Sequence, residues 1–148
     1  MKKITRAAVL GAGVMGSQIA AHLVNAGLEV FLFDIVPEKL TDKEERVGLT
    51  LSDADVRNRF SLGAIERLKK TRPSPLFRTA WANRLFPGNF EDDLERLGET
   101  DLIIEAVVES LPVKQALMKK ITPHINDQTI VSTNTSGIPI NKIGEGMS

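Results

Sequence analysis

The sequence predicts an α/β domain built on a doubly wound, mostly parallel sheet. Three observations carry that expectation. Short apolar runs alternate with segments of helical period from one end of the chain to the other. A glycine-rich turn joins the first apolar run to the first helical segment. The run "DLIIEAVV", Asp101–Val108, is almost continuously apolar, as a strand covered on both faces is.

Each element follows in order. Ile4–Leu10 is rich in β-formers and ends at the glycines, which makes it a buried strand. From Val14 the period changes: Met15, Ile19, Leu23 and Val24 recur at helical spacing, and Gly27 supplies a left-handed stop. Glu29–Ile35, "EVFLFDI", is a second strand that closes on Asp34. Pro37 then opens a long polar segment to about Arg72, read as one or two exposed helices with a break near Gly48–Ser52. "RPSPLF", Arg72–Phe77, is a loop, because its prolines remove helix donors and force extended backbone.

Arg84–Phe90, "RLFPGNF", reads as a short edge strand, since Pro87 cannot donate to a central ladder. Glu91–Leu97 reads as a short acidic helix. Leu111–Ile121 is a helix with Pro112 in its first turn, Thr129–Thr135 another strand, and Pro139–Met147 the start of a further helix. Residues 1–148 thus form one domain with a helical excursion at about 37–80.

The 148 residues suffice for one core, and 19 basic residues balance 19 acidic ones. A balanced chain without a basic face argues against a nucleic-acid binder. There is no cysteine, hence no disulfide, thiolate metal site or cysteine nucleophile. His22 and His124 are too far apart in the chain to suggest a metal site, and each reads as a surface or packing histidine. No apolar run reaches the roughly 18 residues of a membrane span. Lys2, Lys3 and Arg6 before an apolar stretch imitate a secretory signal. The glycines and the Ser17-Gln18 pair interrupt that stretch, and the next strand follows at once. The expected location is the cytoplasm.

Gly11-x-Gly13-x-x-Gly16 follows a predicted strand and opens a predicted helix. Gly11 permits the tight turn, Gly13 lets backbone approach a diphosphate, and Gly16 lets the helix pack closely on the strand. The free amides at that helix start would face the diphosphate. Asp34 ends the second strand about twenty residues on, where a carboxylate accepts from ribose hydroxyls and repels a 2′-phosphate. No arginine immediately follows it. NAD is therefore the expected cofactor, against the bland alternative of a glycine bend and a solvated aspartate.

"IEAVVES", Ile104–Ser110, is harder to explain as structure alone. Glu105 interrupts an apolar strand, and a buried carboxylate needs partners. Glu109 sits where the strand ends, at the sheet edge that holds ligands in open α/β folds. On the residues alone it is equally a helix-start acid favoured by the dipole and a catalytic group.

The chain resembles the NAD-binding domain of the L-3-hydroxyacyl-CoA dehydrogenases, a Rossmann-type fold. The resemblance rests on "VLGAGVMGSQIAAHLVNAG", "DIVPEKL", "DLIIEAVVESLPVKQALMKKI" and "IVSTNTSGIPI". The segment "RTAWANRLFPGNFEDDLERL" looks most like the long bacterial form, which carries a fused enoyl-CoA hydratase-like domain. What the resemblance implies is an enzyme of fatty-acid β-oxidation that oxidises 3-hydroxyacyl-CoA with NAD⁺. It implies diphosphate contacts at Gly11, Gly13 and Gly16, with Val14 and Met15 at the helix start, and Asp34 on the adenosine ribose. It further implies cofactor contacts along Ala106 and Val107, Lys114 near the nicotinamide ribose and Asn134 beside the nicotinamide. Glu109 matches the glutamate that holds the catalytic histidine, and Ser136 the serine that contacts the substrate's 3-oxygen.

That histidine lies in a "GTHFFNP"-like segment beyond "STNTS", and Ser148 comes before any such motif. The expectation is an excised N-terminal domain, cut before the later strands and the helical domain, that binds NAD without turning over substrate. Arg67, Lys69, Lys70, Arg72 and Arg78 fall where the family's helical excursion approaches CoA; the plainer reading is a solvated charged face. Two other readings stand beside the main one. A dehydrogenase of the 3-hydroxyisobutyrate or 6-phosphogluconate type would share the glycine loop, though it would use a catalytic lysine. A non-catalytic nucleotide sensor would leave the glutamates and Ser136 unexplained.

Overall fold

The computed structural model describes residues 3–148. Its strands are β1 (Arg6–Leu10), β2 (Glu29–Asp34), β3 (Leu85–Asn89), β4 (Leu102–Glu105) and β5 (Ile130–Thr133). They form one sheet in the order β3-β2-β1-β4-β5, parallel at every pairing. The chain winds outward from β1 through β2 to β3, then returns to β4 on the other side. The strand order therefore reverses between β1 and β4, and ligands of open α/β sheets bind outside the C-terminal strand ends at such a point.

The two faces carry separate cores. Val9, Val30 and Leu32 pack under helix α1 (Val14–Asn25), helix α4 (Arg59–Lys70) and a 3₁₀ turn at Thr79–Arg84. Ala8, Leu10, Phe31, Phe33 and Ile103 pack under helix α5 (Leu111–Ile121), a 3₁₀ turn at Leu94–Glu99 and helix α6 (Ile140–Gly144). Strict alternation along β1 sends neighbouring side chains to opposite cores, and Ala7–Leu10 are fully buried. Gly27, at φ +95°, ends α1 as expected: its amide donates to Val24 O, and that of Leu28 to Leu23 O.

Several boundaries differ from the sequence reading. β1 begins at Arg6 rather than Ile4, because Thr5 turns its amide and hydroxyl to the Asp101 carboxylate at 2.9 and 3.1 Å. β2 stops at Asp34, and β5 covers only Ile130–Thr133. β4 stops at Glu105, three residues before the expected end, for a reason given below. The polar excursion holds three helices, α2 (Asp42–Arg46), α3 (Ala54–Arg57) and α4, with Gly48 at φ +78° in the break. α4 is not an exposed helix: Ser61, Ala64, Ile65 and Leu68 line a buried stripe at helical spacing.

The acidic helix expected at Glu91–Leu97 is displaced to a 3₁₀ turn at Leu94–Glu99. Asn89 is responsible. Its side-chain oxygen accepts from the amides of Glu91 and Asp92 at 2.9 and 2.8 Å, fixing those residues in an Asx turn. β3 is the edge strand that Pro87 demanded, and α5 has the bounds read from sequence.

Candidate functional site

The C-terminal ends of β1, β2 and β4 meet at the switch point. Gly11 leaves β1 at φ +114°, a conformation closed to most side chains. A Cβ there would also lie 2.5 Å from Ala106 O, so the glycine loop and the loop after β4 touch through backbone alone. Gly16 is more constrained still, since a Cβ would fall 1.7 Å from Gly11 O. Its task is thus chiefly to seat α1 on its own loop; the β1 side chain, Val9 Cγ1, is farther, at 3.5 Å. Gly13 differs from both. Nothing lies within 4 Å of its Cβ position, which leaves that backbone open.

Gly13 caps α1 without a side-chain bond, and the first helical bond runs from Ser17 N to Gly13 O at 3.0 Å. The amides of Val14, Met15 and Gly16 precede that bond and have no intrahelical acceptor. Val14 and Met15 are largely exposed. Asp34 closes the arrangement from β2: its Oδ2 accepts from Ala12 N and its Oδ1 from Ile35 N, each at 2.7 Å. Each carboxylate oxygen keeps a second lone pair for another donor.

Between these parts lies a cavity of about 380 Å³. Gly11, Gly13 and Asp34 line it together with Ala106, Val107 and Val108 from the loop after β4. Ile35, Phe90, and Val113 with Leu117 on α5 supply an apolar lining from three different segments. That size and composition, with few polar groups converging at one end, suit a nucleotide's base and ribose.

Beside the cavity runs a charged network. Glu105 and Lys114 are wholly buried and paired at 2.8 Å. Glu105 also accepts from Val107 N at 2.7 Å and from the Thr133 hydroxyl at 2.6 Å, which satisfies the buried carboxylate as its position required. The bond to Val107 N is what ends β4 early, because it turns the chain into the cavity wall. Lys114 Nζ donates to Val107 O at 3.2 Å and stands 3.5 Å from Glu109 Oε1. The Thr135 hydroxyl donates to the other Glu109 oxygen.

Among the residues expected at the site, Gly11, Gly13, Asp34, Ala106 and Val107 come together around the cavity. Val14, Met15 and Gly16 sit at its helix end. Lys114 lies behind the cavity rather than in its wall, and reaches the edge only through Glu109. Asn134 and Ser136 are exposed just past β5, outside the cavity lining; Asn134 N donates to Glu105 O at 2.8 Å. Sequence reasoning missed Thr133, Thr135 and the apolar lining. The signal available was Ile35, a large apolar residue directly after the carboxylate that ends β2.

Fold and site together define a dinucleotide-binding domain of the Rossmann type. Gly13's open backbone beside unpaired helix amides, and Asp34's spare lone pairs at the cavity, fit a diphosphate and a ribose. The comparisons specify the class. Residues 6–148 match the family described as 3-hydroxyacyl-CoA dehydrogenase, NAD binding domain, and the chain belongs to that family. This excludes the 3-hydroxyisobutyrate-type alternative.

A Bacillus subtilis protein named "probable 3-hydroxyacyl-CoA dehydrogenase" is 50% identical over 147 residues, which are 99% of this chain and 19% of that protein. A Deinococcus radiodurans protein of the same name is 40% identical over 146 residues, 99% of this chain and 38% of its own length. The crystal structure of 3-hydroxybutyryl-CoA dehydrogenase from Escherichia coli K12 matches with a TM-score of 0.67 and 29% identity, over 97% of this chain and 27% of that one. The chain therefore spans between about a fifth and two fifths of the curated relatives it matches.

Proposed function

We propose that the chain is the cofactor-binding part of an enzyme that oxidises the 3-hydroxyl of an acyl-CoA in fatty-acid β-oxidation. The observation that carries this reading is the cavity at the switch point. It joins an open glycine backbone, a ribose-selecting carboxylate and an apolar base pocket in a member of this family. NAD⁺, when bound, supplies the hydride acceptor. Gly13, Val14 and Met15 offer amides to its diphosphate, Asp34 accepts from the adenosine ribose, and Ala106–Val107 run along it. A long parent chain, as in the Bacillus relative, fits the proportion matched.

Glu109 is held by Lys114 and Thr135 at the sheet edge, so its side chain is an acceptor fixed in place. Such a carboxylate can take a hydroxyl or a ring N–H, including that of a histidine brought alongside. Lys114 is its positioning residue. The hydroxyl of Ser136 and the amide of Asn134, exposed past β5, are available to the substrate's 3-oxygen and to the nicotinamide. The proton acceptor is not a histidine of these 148 residues. His22 lies in the last turn of α1 and His124 in the 3₁₀ turn that follows α5, at the opposite sheet edge.

Calorimetric titration tests the reading directly. The chain should bind NAD⁺ more tightly than NADP⁺ and should not turn over acetoacetyl-CoA with NADH. Equal affinity for both cofactors would overturn the role of Asp34, and measurable turnover would overturn the assignment of the proton acceptor.

A further inference from the structure

The glycine loop and first turn of α1, residues 11–17, contain no lysine or arginine. A diphosphate brings two negative charges to that point. The helix end offers only about half a positive charge against them. One cation does reach the loop, from outside it. Arg67, exposed on α4, donates from Nη2 to Ala12 O at 3.4 Å. A Cβ added at Gly63 would sit 3.5 Å from Arg67 Nη1, so the side chain folds back along its helix toward the loop.

Two other cations on the same helix are committed, Arg59 to Glu44 at 2.9 Å and Lys69 to Glu66 at 2.7 Å. Arg67 has no carboxylate partner among the described residues. Its bond to Ala12 is longer than the usual N–H···O range, so the guanidinium gives up little in leaving it. Ala12 immediately precedes Gly13, the open residue of the cradle.

We propose that Arg67 is a diphosphate-binding residue for the dinucleotide. On binding, its guanidinium turns from the Ala12 carbonyl to a diphosphate oxygen, and the helical excursion thereby closes over the loop from the side. Planar, always-charged donors suit that target. The inference rests on the NAD-binding reading of the site. Coenzyme A also carries a diphosphate and is the competing source of this chemistry.

The test titrates the full chain, Arg67→Gln and Arg67→Lys with NAD⁺ at two salt concentrations, and with adenosine and coenzyme A. Arg67→Gln should raise the Kd for NAD⁺ about tenfold, equivalent to about 1.4 kcal/mol, and flatten its salt dependence. Arg67→Lys should recover part of the loss, and adenosine should bind all three proteins alike. An NAD⁺ Kd within twofold of the parent's, an equal loss for adenosine, or a loss confined to coenzyme A would overturn the assignment. A parent chain that does not bind NAD⁺ overturns the site reading and this one with it, whereas an indifferent Arg67→Gln overturns this one alone.

Discussion

Replacing Lys114 by methionine should be among the most damaging single changes in the molecule. The side chain is wholly buried, and its ammonium faces a wholly buried Glu105 carboxylate at 2.8 Å. Removing one member of such a pair leaves a charge in the interior without its partner, at a cost of about 3–5 kcal/mol. The Val107 carbonyl loses a donor as well. For a chain of this size that corresponds to a fall in Tm of roughly 9–15 °C, at about 3 °C per kcal/mol. Urea unfolding followed by the fluorescence of the single tryptophan, Trp81, reads the free energy directly. The double variant Glu105→Gln with Lys114→Met removes both charges, keeps a carbonyl acceptor for Val107 N and turns an amide N–H toward the Thr133 hydroxyl, so it should recover about 2 kcal/mol of the loss. The reasoning is refuted by a Lys114→Met cost below about 1 kcal/mol, or by a double variant whose loss is the plain sum of the single ones.

The glycines should separate folding from binding. Gly16→Ala, whose Cβ would lie 1.7 Å from Gly11 O, should lower Tm sharply, while Gly13→Ala should leave Tm within about 2 °C and weaken NAD⁺ at least tenfold. A thermal melt beside a titration decides, and equal melting losses would defeat the distinction. Asp34→Asn should narrow the preference for NAD⁺ over NADP⁺ by about tenfold, read as the ratio of the two Kd values. Asp92 is held below the usual carboxylate range by Arg57 and Asn89, so its contribution to stability is present above pH 3.8 and is lost as pH falls through its lower folded value. Asp92→Asn should flatten the Tm profile in that acid window; an unchanged slope there counts against it.

Much of this architecture is written in local signals. A proline forbids a central strand, and Pro87 does lie on the edge; a proline in the first turn starts a helix, and α5 begins where Pro112 requires. The glycine turn and Asp34 were legible because each glycine's task depends on its own backbone and a strand-end neighbour. What escaped depended on partners remote in sequence. Glu105 ends β4 by bonding to Val107, but its satisfaction comes from Lys114 on the next helix and Thr133 on the next strand. The apolar cavity lining joins Ile35, Phe90 and Val113 from separate segments, so no periodicity announces it. α4 was misjudged because its charged residues match its apolar ones in number, although Ala64, Ile65 and Leu68 share one buried face.

Asp34 has one consequence for anyone redesigning this chain. Its carboxylate already accepts from two backbone amides, and one of them, that of Ala12, lies between the glycines. The group proposed to recognise the ribose is therefore also a latch on the glycine loop. A cofactor swap attempted at Asp34 alone unfastens the neighbouring subsite as it changes the first. Retargeting this domain to a phosphorylated ribose calls for a second substitution that ties Ala12 down again.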